Sequence, residues 1–149
     1  MSSLSTKVKR KRKERGSAIL EISLLAPWIL FLFVGVFDLG FFTYSMIAVE
    51  NAARVAAEYT SQNASVAADS ATACTLALGE LSALPNVGSG VTTCSASPVV
   101  VTANSVTGTD GSPATSVAVT YNGSTLIPIP GLLMGSLNIT RIAQMRVQP

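Results

Sequence analysis

An uninterrupted apolar stretch dominates the first third of the chain. Ile22–Phe37 is sixteen residues long and contains no charged side chain. As an α-helix these residues would measure about 24 Å, and the weakly polar residues on either side extend them to the roughly 30 Å of a bilayer core. The pattern therefore predicts a hydrophobic helix that crosses the membrane and serves assembly. Because helical spacing continues beyond the apolar stretch, this predicted helix covers residues 17–61.

Beyond the apolar stretch, the predicted helix carries two different stripes. One is made of small residues, Ala48, Ala52 and Ala56, and the other is charged, Glu50, Arg54 and Glu58. The i,i+4 spacing allows Arg54 to pair with either glutamate. The alanines permit close approach of a second helix, but alanine also simply favours helix formation, and the sequence leaves both interpretations open.

The remainder of the chain predicts a small mixed domain over residues 62–149. Residues 64–84 keep apolar positions at helical spacing and predict a shorter second helix that ends before Pro85. After residue 90, Val, Thr and Ser dominate, which favours strands. The predicted fold class is α+β, with a long N-terminal transmembrane helix, a short second helix and a three-stranded antiparallel sheet.

Three segments of the second half predict the strands of this sheet. They lie within Val91–Ala103, over Thr115–Tyr121 and over Leu137–Val147. Pro98 either begins or interrupts the first strand, because proline cannot donate to a strand ladder. In the last strand Arg141 and Ile142 exchange their expected places, which indicates a β-bulge.

Charge is distributed unevenly along the chain. Residues 1–15 hold seven of the ten Lys and Arg residues and one Glu, whereas the rest holds three Arg and seven acidic residues. Positive residues beside a membrane segment stay in the cytoplasm, so the pattern predicts a cytoplasmic N-terminus and an extracytoplasmic C-terminal domain. A nucleic-acid-binding tail is disfavoured because no aromatic residue lies among the basic ones.

Composition argues against most catalytic chemistry. The chain has no histidine, which removes the commonest general base and the commonest nitrogen ligand of metals. No nucleophile–base pattern, phosphate-binding loop or metal-ligand cluster exceeds chance. The sequence predicts a protein that is not an enzyme, that holds no cofactor or metal and that binds no nucleic acid.

The two cysteines, Cys74 and Cys94, are predicted to lie outside the cytoplasm, where disulfides form and persist. We expect them to form a disulfide between the second helix and the first strand. Closing a loop of this length contributes about 3 kcal/mol to stability in the chain-entropy model. Two free buried thiols are the alternative.

Two further features each admit two interpretations. Asp38 lies toward the outer end of the apolar segment, where it either sits near the outer headgroups, which we favour, or faces another subunit. The connection Leu126–Gly135 is unusually apolar, so it is either a contact patch for a partner or the membrane surface, or part of the core beneath the sheet.

The junction between basic leader and apolar segment distinguishes three kinds of N-terminus. A cleaved signal peptide needs a shorter apolar region and a nearby small-residue site, but the first such site lies around residues 55–57. A plain signal anchor leaves Glu21 unexplained. The order of basic leader, Gly16, small or apolar residues, Glu21 and apolar helix resembles the type IV prepilin processing signal, which implies cleavage between Gly16 and Ser17.

Three blocks extend this resemblance to the TadE-like family. They are the segment from Gly16 to Pro27, the segment Gly-Val-Phe-Asp-Leu-Gly over residues 35–40, and Val-Glu-Asn-Ala-Ala-Arg-Val-Ala-Ala over residues 49–57. The family comprises pseudopilins and minor pilins of the Tad (Flp) type IV-like pilus, a tight-adherence system that serves cell adhesion. The resemblance implies a pilin-like fold, a cleaved leader over residues 1–16 and a role for Glu21 in subunit register.

The same resemblance implies partners and a location. The partners are a prepilin peptidase, other pilin or pseudopilin subunits and the inner-membrane assembly platform of the pilus. The location is the bacterial inner membrane, crossed once, with a periplasmic C-terminal domain, or the extracellular pilus itself. The alternative is an uncleaved single-pass membrane protein whose outer domain binds a partner.

Overall fold

The chain divides into two compact units in the computed structural model, Met1–Leu39 and Gly40–Pro149. The structure describes residues 3–88, 90–124 and 136–148, with side chains from Ala18 onward. The predicted division into residues 1–16, 17–61 and 62–149 stays a prediction.

One α-helix, α1, occupies Ser3–Thr60 and includes Pro27. Within it, Ala18–Thr60 is long and apolar enough to cross a membrane, judged by length and composition. The helix ends where two hydroxyl side chains turn back onto its last carbonyls: Thr60 donates to Ala57 at 3.2 Å and Ser61 donates to Glu58 at 2.8 Å. The prediction of a long N-terminal helix is therefore confirmed.

A second helix, α2, covers Ser70–Leu81 and is shorter than the predicted helix over residues 64–84. The carboxylate of Asp69 accepts the backbone N–H groups of Ala71 and Thr72, both at 3.1 Å, and so forms the N-cap. Ahead of it, the side chain of Asn63 accepts the N–H groups of residues 65 and 66 and holds a turn. This local turn competes with helix, which is why α2 begins six residues later than predicted.

The sheet of the second unit is an antiparallel meander of four strands. In spatial order they are β1 Ser95–Ala96, β2 Val99–Thr107, β3 Pro113–Ser124 and β4 Ser136–Arg146. The predicted count of three was wrong because β1 precedes them, pairing Ser95 with Val100 and Ala96 with Val99 across a turn at Pro98. A two-residue strand is too short for side-chain alternation to reveal. The apolar connection Leu126–Gly135 lies outside the described residues.

The predicted bulge in the last strand is absent from β4. Its pairing with β3 continues without a break, with Val119 opposite Arg141 and Ala118 opposite Ile142. Arg141 therefore lies on the same face as the buried Ile139, whereas Ile142 lies on the opposite face with 68% of its surface exposed. Arg141 and Ile142 therefore do lie on exchanged faces of the strand, and no bulge in the backbone returns them to the expected faces.

The core of the second unit lies between the end of α1, helix α2 and one face of the sheet. Alanines provide most of the contribution from α1, with Ala52, Ala53, Ala56 and Ala57 at most 1% exposed. Facing them are larger residues from α2 and the strands, including Leu81, Val99, Val117, Val119 and Tyr121. The side chains of these alanines are therefore enclosed by the rest of the unit. The alanine stripe is therefore part of the domain's own core and not a free assembly face.

Two buried hydroxyl groups tie the layers of this core together. The hydroxyl of Thr115 on β3 lies 2.9 Å from both the Thr60 hydroxyl and the Ala67 carbonyl oxygen. The phenol of Tyr121 donates to the Pro85 carbonyl at 2.9 Å, and burial raises the pKa of Tyr121. These bonds satisfy polar groups that would otherwise be costly inside the unit.

Candidate functional site

The predicted processing and register residues lie in the N-terminal part of α1. The backbone of Gly16 and Ser17 is helical, and Glu21 follows in the same helix with an exposed side chain. Five helical residues cover about 7.5 Å, so the proposed scissile bond and the carboxylate lie little more than one turn apart along α1. The cleavage and register roles stay predictions, because both concern partners outside the chain.

Around and beyond Glu21, the first unit presents an almost continuous apolar surface. No residue is buried in the most apolar eighteen-residue segment of α1. Most of its large side chains are more than half exposed, among them Leu24 at 74%, Trp28 at 73% and Leu32 at 69%. An apolar surface of this extent is unfavourable in water and needs lipid tails or other apolar helices around it.

Asp38 is the second carboxylate of the apolar segment. Its side chain is half-buried, and its Oδ1 atom is shielded from solvent while accepting no hydrogen bond within the part of the chain that the structure describes. A shielded carboxylate oxygen without a donor is costly. The two interpretations of Asp38, headgroup contact and contact with another subunit, both supply such a donor.

The predicted disulfide between Cys74 and Cys94 is present. Cys74 lies on α2, and its Cα atom is 5.7 Å from that of Cys94. Cys94 precedes β1 directly, one residue outside the strand on which we expected it. Both half-cystines are 7% exposed, and the bond joins α2 to the start of the sheet.

The predicted i,i+4 ion pairs of α1 are not formed. Within the described side chains, the ion pair present joins Arg146 to Asp110 at 3.8 Å, and Arg54 pairs with neither Glu50 nor Glu58. Arg146 and Asp110 are 74% and 56% exposed, so this pair contributes little to stability.

The two carboxylates with perturbed pKa values have structural roles. Hydrogen bonds from Thr72 hold the pKa of Asp69 below its ordinary value, with smaller contributions from Tyr59 and Ala71. Hydrogen bonds from Ser112, and then the charge of Arg146, lower the pKa of Asp110 in the turn between β2 and β3. Among the described residues, no three of His, Cys, Asp and Glu are grouped so that they could hold a metal ion.

Within the described residues these features define one candidate membrane helix, whose last turns contribute to the core of a small disulfide-linked α+β unit. A family model described as TadE-like protein matches residues 16–58. The match confirms the resemblance seen in the three sequence blocks, and it begins at Gly16 and ends in the last turn of α1. Neither a curated protein nor a solved structure matches the chain.

Sequence reasoning missed the residues that organise the second unit. Asp69 directly precedes α2, and an acidic residue followed by a helical pattern is a recognisable N-cap signal. Thr115 and Tyr121 carried no such signal, because each bonds to a residue more than thirty positions away. Contacts at that separation depend on the topology and leave no local pattern.

Proposed function

We propose that this protein is a minor pilin or pseudopilin of a Tad (Flp) pilus, with a structural and not an enzymatic role. The observation that carries the proposal is the TadE-like match over residues 16–58, which starts at the residue before the proposed cleavage. The exposed apolar surface of the first unit supports it, since a pilus subunit must exchange lipid for neighbouring helices.

The proposed location is the bacterial inner membrane, with the basic leader in the cytoplasm and the second unit in the periplasm. The seven basic residues of the leader favour this orientation. The disulfide between Cys74 and Cys94 also favours it, because such bonds persist in the periplasm and are rare in the cytoplasm. From the membrane, the subunit would enter the pilus or its base, beside other pilin subunits and the assembly platform.

The proposed processing step is hydrolysis of the Gly16–Ser17 bond by a prepilin peptidase. Glycine offers no side chain at the scissile position and opens readily from a helix. Intact-mass measurement on protein from piliated cells should give an N-terminus at Ser17, and Gly16→Leu should retain the leader. Wild-type protein that retains its leader in piliated cells would instead favour an uncleaved membrane protein whose outer domain binds a partner.

The proposed role of Glu21 is to set the register of assembly. A carboxylate within an apolar helix costs on the order of 2.5–3.5 kcal/mol at the bilayer centre and less near the edge. Cleavage creates an α-ammonium group on Ser17, and pairing with Glu21 of a neighbouring subunit would offset this cost as water is excluded.

A matched pair of variants tests this role. Glu21→Gln should still be cleaved and should still form its disulfide, but it should be lost from purified pili. Glu58→Gln removes an exposed carboxylate from the same helix beyond the apolar segment, and it should assemble normally. Equal amounts of the two variants in pili would end the register hypothesis.

A further inference from the structure

A polar groove lies between the last turns of α1 and strand β4, within the second unit. Its volume is about 530 Å³, and it is lined by Glu50, Ala53 and Arg54 of α1 and by residues 141–145 of β4. Five consecutive strand residues line it, so the groove follows the edge of the strand and exposes groups from both faces. Its size suits a short peptide segment.

The groove holds two arginines that pair with no carboxylate among the described side chains. Arg54 makes no ion pair with any described side chain, and the Arg141 guanidinium donates to the Thr140 carbonyl at 3.3 Å. The third arginine of the second unit, Arg146, already pairs with Asp110. Two of three cations in an otherwise acidic unit therefore line one groove, with Glu50 as its single carboxylate.

Strand β4 is also the last strand of the described sheet. It pairs with β3 over all eleven residues, and its other edge meets no described strand. β4 has no bulge, proline or lysine at this edge, so of the features that discourage further pairing it has only the charges of Arg141 and Arg146, which an acidic partner would neutralise. An extended segment can therefore add to β4 through main-chain hydrogen bonds.

We propose that this groove binds an extended, carboxylate-bearing segment of another protein, which pairs with the edge of β4 and places its carboxylate between Arg54 and Arg141. Arginine recognises carboxylates through paired, directional hydrogen bonds, so the two guanidinium groups would select for an acidic residue at one position of the added strand. The proposal does not depend on the pilus role.

The proposed occupant is a segment of another chain, because no extended segment within residues 1–149 carries a carboxylate. None of the strands β1–β4 contains Asp or Glu. Every acidic residue of the chain lies on α1, on α2, at the cap of α2 or in the turn between β2 and β3. The connection over residues 125–135 has none either, so neither that connection nor a second copy supplies the carboxylate on an extended segment.

The test measures peptide binding to the full-length, disulfide-linked protein in nonionic micelles. The probe is a capped peptide of about nine alternating Thr and Ser residues with one central Asp and a neutral fluorophore, followed by anisotropy. Two control peptides carry Asn in place of Asp, or N-methyl groups on alternate amides. The first removes the charge, and the second removes strand pairing while it keeps the charge.

We expect the Asp peptide to bind about tenfold more tightly than the Asn peptide, and the N-methylated peptide not to bind. Arg54→Gln and Arg141→Gln should each remove most of the Asp preference. Arg146→Gln, on the same strand, is the matched control and should retain it. The proposal would be overturned if the Asp and Asn peptides bound equally or if neither bound. It would also be overturned if Arg146→Gln lost the Asp preference as far as the other two variants do. Binding of anionic lipid vesicles through the same arginines, without peptide binding, would overturn it as well.

Discussion

Removal of the Cys74–Cys94 disulfide should destabilise the second unit by an amount that can be calculated from its position. The two cysteines are 20 positions apart. Without the cross-link the unfolded chain regains the freedom of that loop, which corresponds to about 3 kcal/mol at room temperature in the chain-entropy model. Both half-cystines are nearly buried, so their replacement by alanine adds a smaller packing loss of the same sign.

This free energy predicts a large shift in melting temperature. The unit Gly40–Pro149 has about 110 residues, and unfolding entropy near the transition is roughly 2 cal/mol/K per residue. A loss of about 3 kcal/mol therefore lowers the melting temperature by roughly 14 °C. The shift is this large because the total unfolding entropy of a small unit is small, so a given loss of free energy moves its melting temperature further.

The assay is thermal unfolding of the full-length protein in nonionic micelles, followed by near-ultraviolet circular dichroism. Tyr121 is fully buried and reports on the packing of the second unit. The Cys74→Ala/Cys94→Ala variant is compared with a Thr75→Ala/Ser95→Ala control, which alters the exposed neighbours and keeps the bond. A shift of less than about 4 °C relative to this control would refute the calculation, since it corresponds to under about 1 kcal/mol.

The buried alanine stripe gives a second prediction. Ala56→Leu should destabilise the unit by roughly 1–3 kcal/mol through overpacking, whereas Asn51→Leu on the exposed side should change stability by less than about 0.5 kcal/mol; equal denaturant midpoints would contradict the packing described. Tyr121→Phe should cost about 1–2 kcal/mol because the Pro85 carbonyl loses its donor, and an unchanged midpoint would show that this bond contributes nothing. Hydrogen bonds at the start of α2 lower the pKa of Asp69 below 3.8, so its contribution is complete above that pH and is lost as pH falls through the lower, folded value. The melting temperature of the wild type should therefore fall relative to that of Asp69→Asn between about pH 6 and about pH 3, and a constant difference would contradict this assignment.

Features that depend on residues close together in the sequence could be predicted. The apolar run over residues 22–37 has few structural outcomes other than a long helix, and it yielded α1. Alternation over residues 115–121 and 137–147 located β3 and β4, because one face of each strand meets a core and the other meets water. With two cysteines in the predicted extracytoplasmic part, only one internal pairing was available.

Features decided by competition or by topology could not be predicted in the same way. Asn63 and Asp69 both accept hydrogen bonds from nearby backbone N–H groups, and either residue could precede the first turn of α2. The sequence does not show which of the two begins the helix. The predicted bulge at Arg141 assumed that every inward position of the last strand meets apolar core. Because β4 lies at the edge of the described sheet, Arg141 instead lines the groove beside α1, and a charged side chain is tolerated there without any change of register.

The burial of the alanine stripe determines which substitutions can test the proposed assembly. Close packing of small residues between helices was one of the two original interpretations, but Ala52 and Ala56 are fully buried within the second unit. A residue already buried in its own core cannot also contact a neighbouring subunit unless the unit opens. In the proposed assembly, contacts through α1 are therefore left to its exposed apolar side chains and to Glu21, which lie within the TadE-like match over residues 16–58. Substitutions in the buried stripe should disturb folding first, and only those on the exposed surface report on assembly itself.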